Sequence, residues 1–136
     1  MDAEAARGKQ VLVADDDRAV CALLKRALAP FAAVTAVADA EAALEALAER
    51  HFDAVISDFR LPGMSGLEFA RRLRSEPHTA AIRILMISGH VPSGLRERAL
   101  GAGVDAFLDK PFRLLDLRGA IAALLRTNGE VAPGQA

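Results

Sequence analysis

The sequence predicts an α/β domain built from five strand–helix units around a parallel sheet. Three observations carry that expectation. Two hydrophobic periods alternate along the chain, short apolar runs giving way to stretches with apolar residues three and four apart. The short runs are apolar almost throughout, the habit of strands covered by helices on both faces. The chain has 136 residues, 52% hydrophobic and 26% charged, enough for one sizeable core and too apolar for a disordered body.

The predicted strands are VLVA at 11–14, AAVTAV at 32–37, DAVIS at 53–57, RILMIS at 83–88 and DAFLD at 105–109. The first predicted helix sets Val20, Leu23, Leu24, Ala27 and Leu28 on one face, with Asp17 as N-cap and Pro30 beyond its end. The second runs from Asp39 to near Arg50, with Leu44, Leu47 and Ala48 inward. The third opens on Ser65-Gly-Leu-Glu68, the spacing of a capping box, and stops before Pro77. The fourth, Ser93 to Leu100, is short and arginine-rich. The fifth carries Leu114, Leu117, Ile121, Leu124 and Leu125. Residues 1–8 read as an N-terminal extension, 9–126 as the domain, and 127–136 as a C-terminal tail or linker stump.

Composition excludes several functions. A net charge of −1 argues against a general nucleic-acid surface or an anionic membrane surface. No apolar run approaches the roughly 20 residues of a membrane span, and the polar start is unlike a secretory signal. The expected location is therefore cytoplasmic. The single cysteine, Cys21, lies in an apolar helical pattern and reads as a small core residue. Gly101-Ala-Gly-Val-Asp-Ala106 matches a loose dinucleotide pattern, but it follows a helix and precedes a strand. Glycine past a helix end explains it better. His51 and His78 have no ligand-spaced partners.

The informative residues stand where the apolar runs stop. Asp15 and Asp16 close the first run, Asp58 the third, Ser88 the fourth and Lys110 the fifth. In an open parallel sheet, strand ends on one edge converge, so these groups become neighbours. Adjacent carboxylates repel unless a cation neutralises them, and a hard cation such as Mg2+ prefers oxygen ligands. The competing account of Asp15-Asp16-Asp17 is a set of helix N-terminal acids, favoured by the helix dipole. It explains Asp17 well and Asp16 in part. Asp58 adds a third carboxylate before a turn-rich loop. A carboxylate there can accept a phosphoryl group, given charge neutralisation on the phosphoryl oxygens. A metal on Asp16 and Asp58 supplies part of it, the Lys110 ammonium a second charge, and the Ser88 hydroxyl a hydrogen bond. Pro111 relaxes the trans preference of the preceding bond, so a cis peptide can aim Lys110 inward.

VLVADDD, SDFRLPGMSGLEF, Ile-Ser-Gly at 87–89 and the varied GAxxFLxKPF pattern of Gly103–Phe112 occur in a distinctive order. By these marks, over residues 9 to 126, the chain resembles a response-regulator receiver domain of bacterial two-component signalling. The resemblance implies a flavodoxin-like doubly wound sandwich with strand order 2-1-3-4-5, named for this family in general treatments of the fold. It implies Asp58 as phosphoacceptor, Mg2+ (or Mn2+ in its place) on Asp15, Asp16, Asp58 and the Arg60 main-chain carbonyl, and Ser88 and Lys110 against the phosphoryl group. Phe107 would be an aromatic switch that turns inward when Ser88 moves.

Arg60 lies two residues after Asp58, where the family varies. With His90, it is expected to tune the phosphoryl lifetime. Phe107 replaces a frequent tyrosine or threonine, and Ser65 a frequent aspartate. The expected role is a switch, not an enzyme. Its phosphodonor would be a sensor histidine kinase or histidine phosphotransfer protein. Its reader would be a downstream protein or an output domain, meeting the surface of the fourth helix, fifth strand and fifth helix. Direct nucleic-acid or membrane binding is not expected, and the chain would be a monomer or a phosphorylation-dependent dimer. The alternatives are a receiver truncated from a longer, for example DNA-binding, regulator, and a phosphorylation-independent pseudo-receiver. A haloacid-dehalogenase-type phosphatase needs a second acid where Arg60 stands.

Overall fold

The computed structural model describes residues 8–89 and 93–126. Apart from Gly8, the proposed flanking segments fall outside those residues. Five strands and five helices alternate: β1 (Lys9–Ala14), α1 (Arg18–Leu28), β2 (Ala32–Val37), α2 (Ala40–Glu49), β3 (Ala54–Asp58), α3 (Gly66–Ser75), β4 (Arg83–Ser88), α4 (Leu95–Gly101), β5 (Ala106–Asp109) and α5 (Leu114–Leu125). The strands form one sheet in the order β2-β1-β3-β4-β5, and each neighbouring pair is parallel.

The alternation of side chains along each strand builds two cores. Leu12, Ala14, Val55, Ile84 and Met86 meet Ala43 and Leu47 of α2, Phe69 and Leu73 of α3, and Leu95 and Ala99 of α4. Val11, Val13, Ile56, Leu85 and Ile87 face the other way, onto Leu24 and Leu28 of α1 and Leu117, Ile121 and Leu124 of α5. Burying each large aliphatic side chain stabilises the fold by about 1.5–3 kcal/mol relative to exposure. Both faces of the central strands are therefore dry, as their unbroken apolar runs require.

The expectation of strands buried on both faces fails at the sheet's two edges. β2 and β5 are mostly half-buried, because each has only one neighbour in the sheet. Three expected core positions also turn outward. Leu23 is 41% exposed, one residue off the Leu24–Ala27–Leu28 stripe that reaches the sheet. Ala48 is exposed because Ala40, Ala43 and Leu47 already fill the inner face of α2. Leu114, 42% exposed, opens α5 a turn before Leu117, its first buried residue. Cys21 is intermediate in exposure, at the margin of the second core.

The caps follow the sequence closely. The Asp17 carboxylate accepts from the main-chain N–H groups of Ala19 at 2.9 Å and Val20 at 3.3 Å. Asp39 caps α2, and Ser65 Oγ accepts from the Glu68 N–H at 3.1 Å. α4 begins at Leu95, later than expected, after Gly94 in a left-handed conformation (φ 84°) with no side-chain cap. Beyond α4, Gly103 at φ 101° makes a turn that L side chains rarely adopt. Among the described residues, no helix is long and apolar enough to cross a membrane.

Candidate phosphoacceptor and metal site

The parallel sheet brings its C-terminal strand ends to one edge. Asp15 and Asp16 follow β1, Asp58 ends β3, and Lys110 follows β5. Ligand atoms of Asp15, Asp16 and Asp58 all lie within 4.8 Å of one another. The Lys110 ammonium lies 3.5 Å from Asp58 Oδ1 and 3.6 Å from Asp15 Oδ2. The three carboxylates, with Asp17, Arg60, Leu61, Pro62 and Lys110, line an open cleft of about 470 Å³.

Local bonding fixes each member. Asp15 is buried, and its Oδ1 accepts from the Asp17 N–H at 2.9 Å, which aims the other oxygen at Lys110. The Cys21 thiol donates to the Asp15 carbonyl at 3.3 Å. Asp17 is committed to capping α1, so it stands at the rim without joining the close carboxylate group. Ser88 is 2% exposed at the end of β4, and its carbonyl accepts from the Lys110 N–H at 2.8 Å. This bond ties Ser88 and Lys110 to one point of the edge. The Lys110–Pro111 peptide is cis.

Two residues hold Asp58 that the sequence reading assigned no role. Ser57 Oγ donates to the Asp58 carbonyl at 2.9 Å. Gly66 lies so close that a Cβ there would stand 2.5 Å from that carbonyl oxygen and 2.9 Å from Phe59 Cα. Its N–H donates to the Phe59 carbonyl at 2.7 Å, folding the 59–65 loop back over the strand end. The only signal in the sequence was a glycine directly after the cap residue of α3.

Electrostatics distinguish Asp58. Burial pushes its carboxyl above the usual carboxylate range. Lys110 opposes that shift, Asp15 adds to it, and the Phe59 N–H opposes it weakly. One ammonium thus faces carboxylates that repel one another. A hard divalent cation fits such an all-oxygen donor set, because it removes the repulsion and tolerates water among its ligands.

The remaining predicted residues lie outside this group. Arg60 is exposed on the wall of the cleft. Phe107 is half-buried against the first core, opposite Met86 in the β4–β5 register and beneath the Arg96 guanidinium. His90 falls outside the described residues.

The chain is similar in sequence and fold to known proteins. A model of the response regulator receiver domain matches residues 11–122. Over 122 residues, or 88% of its length, the chain is 36% identical to the cyclic di-GMP phosphodiesterase response regulator RpfG of Xanthomonas campestris pv. campestris, covering 32% of that protein. It is 35% identical over 119 residues, 86% of its length, to the phosphate regulon transcriptional regulatory protein PhoB of Rhizobium meliloti, covering 52% of it. The chain therefore spans about a third of the first of these curated relatives and about half of the second. Among solved structures, the receiver domain of a Pseudomonas aeruginosa sensor histidine kinase superposes with a TM-score of 0.79 at 26% identity, covering 87% of this chain and 98% of that one. That protein carries a magnesium ion coordinated in its active-site cleft. The chemotaxis response regulator CheY4 of Vibrio cholerae superposes with a TM-score of 0.80 at 26% identity, covering 85% and 98%.

Proposed function

We propose, since the chain belongs to the response regulator receiver domain family, that it is a phosphoacceptor switch in which Asp58 takes the phosphoryl group. The observation that carries this reading is the meeting of three carboxylates and one ammonium at a single sheet edge. A carboxylate oxygen of Asp58 attacks phosphorus as the P–N bond of a phosphohistidine donor breaks. The imidazole nitrogen keeps the electron pair, and Asp58 becomes an acyl phosphate. Lys110 neutralises charge on the phosphoryl oxygens, and the Ser88 hydroxyl donates a hydrogen bond to one of them.

Asp15, Asp16 and Asp58, with the main-chain carbonyl of Arg60, would hold Mg2+. The cation would supply the further positive charge that transfer to a carboxylate needs. The donor is a sensor histidine kinase or histidine phosphotransfer protein. The protein acts as a switch in the cytoplasm, assisting only its own phosphorylation and dephosphorylation. Phe107 responds to Ser88, and the α4–β5–α5 surface presents the result to a downstream protein or output domain. Leu100, Leu114 and Leu115, exposed on α4 and α5, give that surface apolar anchors. The relatives' greater length favours a second reading, the receiver of a longer regulator. Arg60 and His90, each two residues beyond a site residue, set the phosphoryl lifetime. Unchanged dephosphorylation in both Arg60→Ala and His90→Ala would overturn that assignment.

The test of the main reading is incubation with Mg2+ and a small phosphodonor, followed by intact-mass measurement. The expected result is one acid-stable, base-labile phosphoryl group on the wild type and none on Asp58→Asn. Absence of the adduct with every donor would favour a pseudo-receiver that signals by binding alone.

A further inference from the structure

A single arginine clamps the element proposed to switch. Arg96 is the second residue of α4. Its Nη2 donates to Asp109 Oδ1 at 2.9 Å, and its guanidinium carbon stands 5.0 Å from the centroid of the Phe107 ring. Phe107 and Asp109 are two apart on β5, so both side chains leave the same face of the strand. One planar cation therefore spans both, as a rigid guanidinium does better than an ammonium.

The clamp lies beside the phosphoryl chemistry. Asp109 stands opposite Ser88 in the β4–β5 register and immediately precedes Lys110. Met86 stands opposite Phe107. α4 is seven residues long and lacks a side-chain cap, and it is anchored by two buried residues, Leu95 at its start and Ala99. An inward turn of the half-buried Phe107 ring would forfeit the guanidinium contact. The Arg96–Asp109 pair would then hold α4 without the ring beneath it.

We propose that Arg96 is a latch that opposes the inward turn of Phe107, lowering the population of the turned state until phosphorylation favours it. This rests on the phosphoacceptor reading and names its regulator. Arg96 is a positioning residue, acting through Phe107 and Asp109. Both partners of the ion pair are half exposed, so the latch is weak. Weakness suits it: a restraint of this kind shifts a two-state equilibrium by about three- to tenfold without locking it.

The test titrates the 136-residue chain with beryllofluoride, a phosphoryl mimic, in the presence of Mg2+, following the amide resonances of Ser88 and Phe107 and the Phe107 ring resonances. Arg96→Ala is expected to bind the mimic about three- to tenfold more tightly than wild type, by linkage. Its Phe107 resonances are expected to lie part-way toward the mimic-bound position before any mimic is added. Arg96→Gln keeps a planar group over the ring without the charge and is expected to fall between. Wild-type binding with unchanged affinity and unchanged Phe107 resonances in both variants overturns the latch alone. Failure of the wild type to bind the mimic overturns the latch and the phosphoacceptor reading together.

Discussion

The two edges of the sheet treat charge in opposite ways. At the N-terminal edge of β4 and β5, Arg74 donates to the carbonyls of Gly103, Ala80 and Ile82 and to Asp105. Asp105 in turn accepts from the Ile84 N–H at 2.8 Å and lies 3.9 Å from Arg83. Every charge there has an opposite partner, and α3 is tied to the loops entering both strands. At the C-terminal edge, three carboxylates crowd together, two of them, Asp15 and Asp58, share the Lys110 ammonium, and burial pushes the Asp58 carboxyl upward. The first edge ties its charges into hydrogen bonds that hold the fold. The second keeps repulsion in the folded state that a bound cation would relieve, the usual trade between stability and activity.

The contrast breaks most easily at Arg74. Arg74→Ala strips Gly103, Ala80 and Ile82 of their side-chain donors and leaves Asp105 without its nearer cation. It is expected to lower unfolding free energy by about 2–3 kcal/mol. Arg74→Lys should recover only part, because an ammonium cannot reproduce the fork. Denaturant unfolding followed by far-UV circular dichroism measures this, since the chain has no Trp or Tyr. An effect under half a kcal/mol would remove the distinction between the edges.

Gly66→Ala should come next. Its Cβ would collide with the Asp58 carbonyl and Phe59 Cα, both main-chain atoms that cannot swing aside. A loss of about 1–2 kcal/mol is expected, together with slower phosphorylation as Asp58 is displaced. A loss of stability with phosphorylation unchanged would show that the loop tolerates the shift without moving the carboxylate.

The smallest effect has the opposite sign. In chelator, Asp58→Asn is expected to stabilise the fold by about 0.5–1 kcal/mol. Because the folded carboxyl is raised, the folded state holds that proton more tightly than the unfolded chain. Wild type therefore loses stability, relative to an unperturbed carboxyl, as pH rises from the ordinary carboxylate value through the raised one. The gain in Asp58→Asn should vanish in acid and reach a plateau above that window. A gain independent of pH would assign it to something other than the charge.

The sequence made the architecture legible because buried parallel strands need unbroken apolar runs and their helices need a stripe. It made the carboxylate–lysine cluster legible because Asp15, Asp16, Asp58 and Lys110 each stand where such a run stops. Strand order came only through resemblance, since periodicity says nothing of which strands pair. The supports were hidden. Arg74 reaches partners 29 and 31 residues away, and Arg96 one 13 residues away, with nothing local to mark them among many surface arginines. Gly66 looked like part of a helix start until the fold laid it on Asp58. Leu23, Ala48 and Leu114 misled because an apolar residue beside a stripe resembles one within it.

The most direct measurement is thermal unfolding of wild type and Asp58→Asn as Mg2+ is titrated. If the carboxylate edge is a cation site, wild type starts less stable in chelator and gains stability with a saturable dependence on Mg2+. Asp58→Asn starts higher and gains clearly less. Parallel curves for the two proteins, or no response in wild type, would contradict the account.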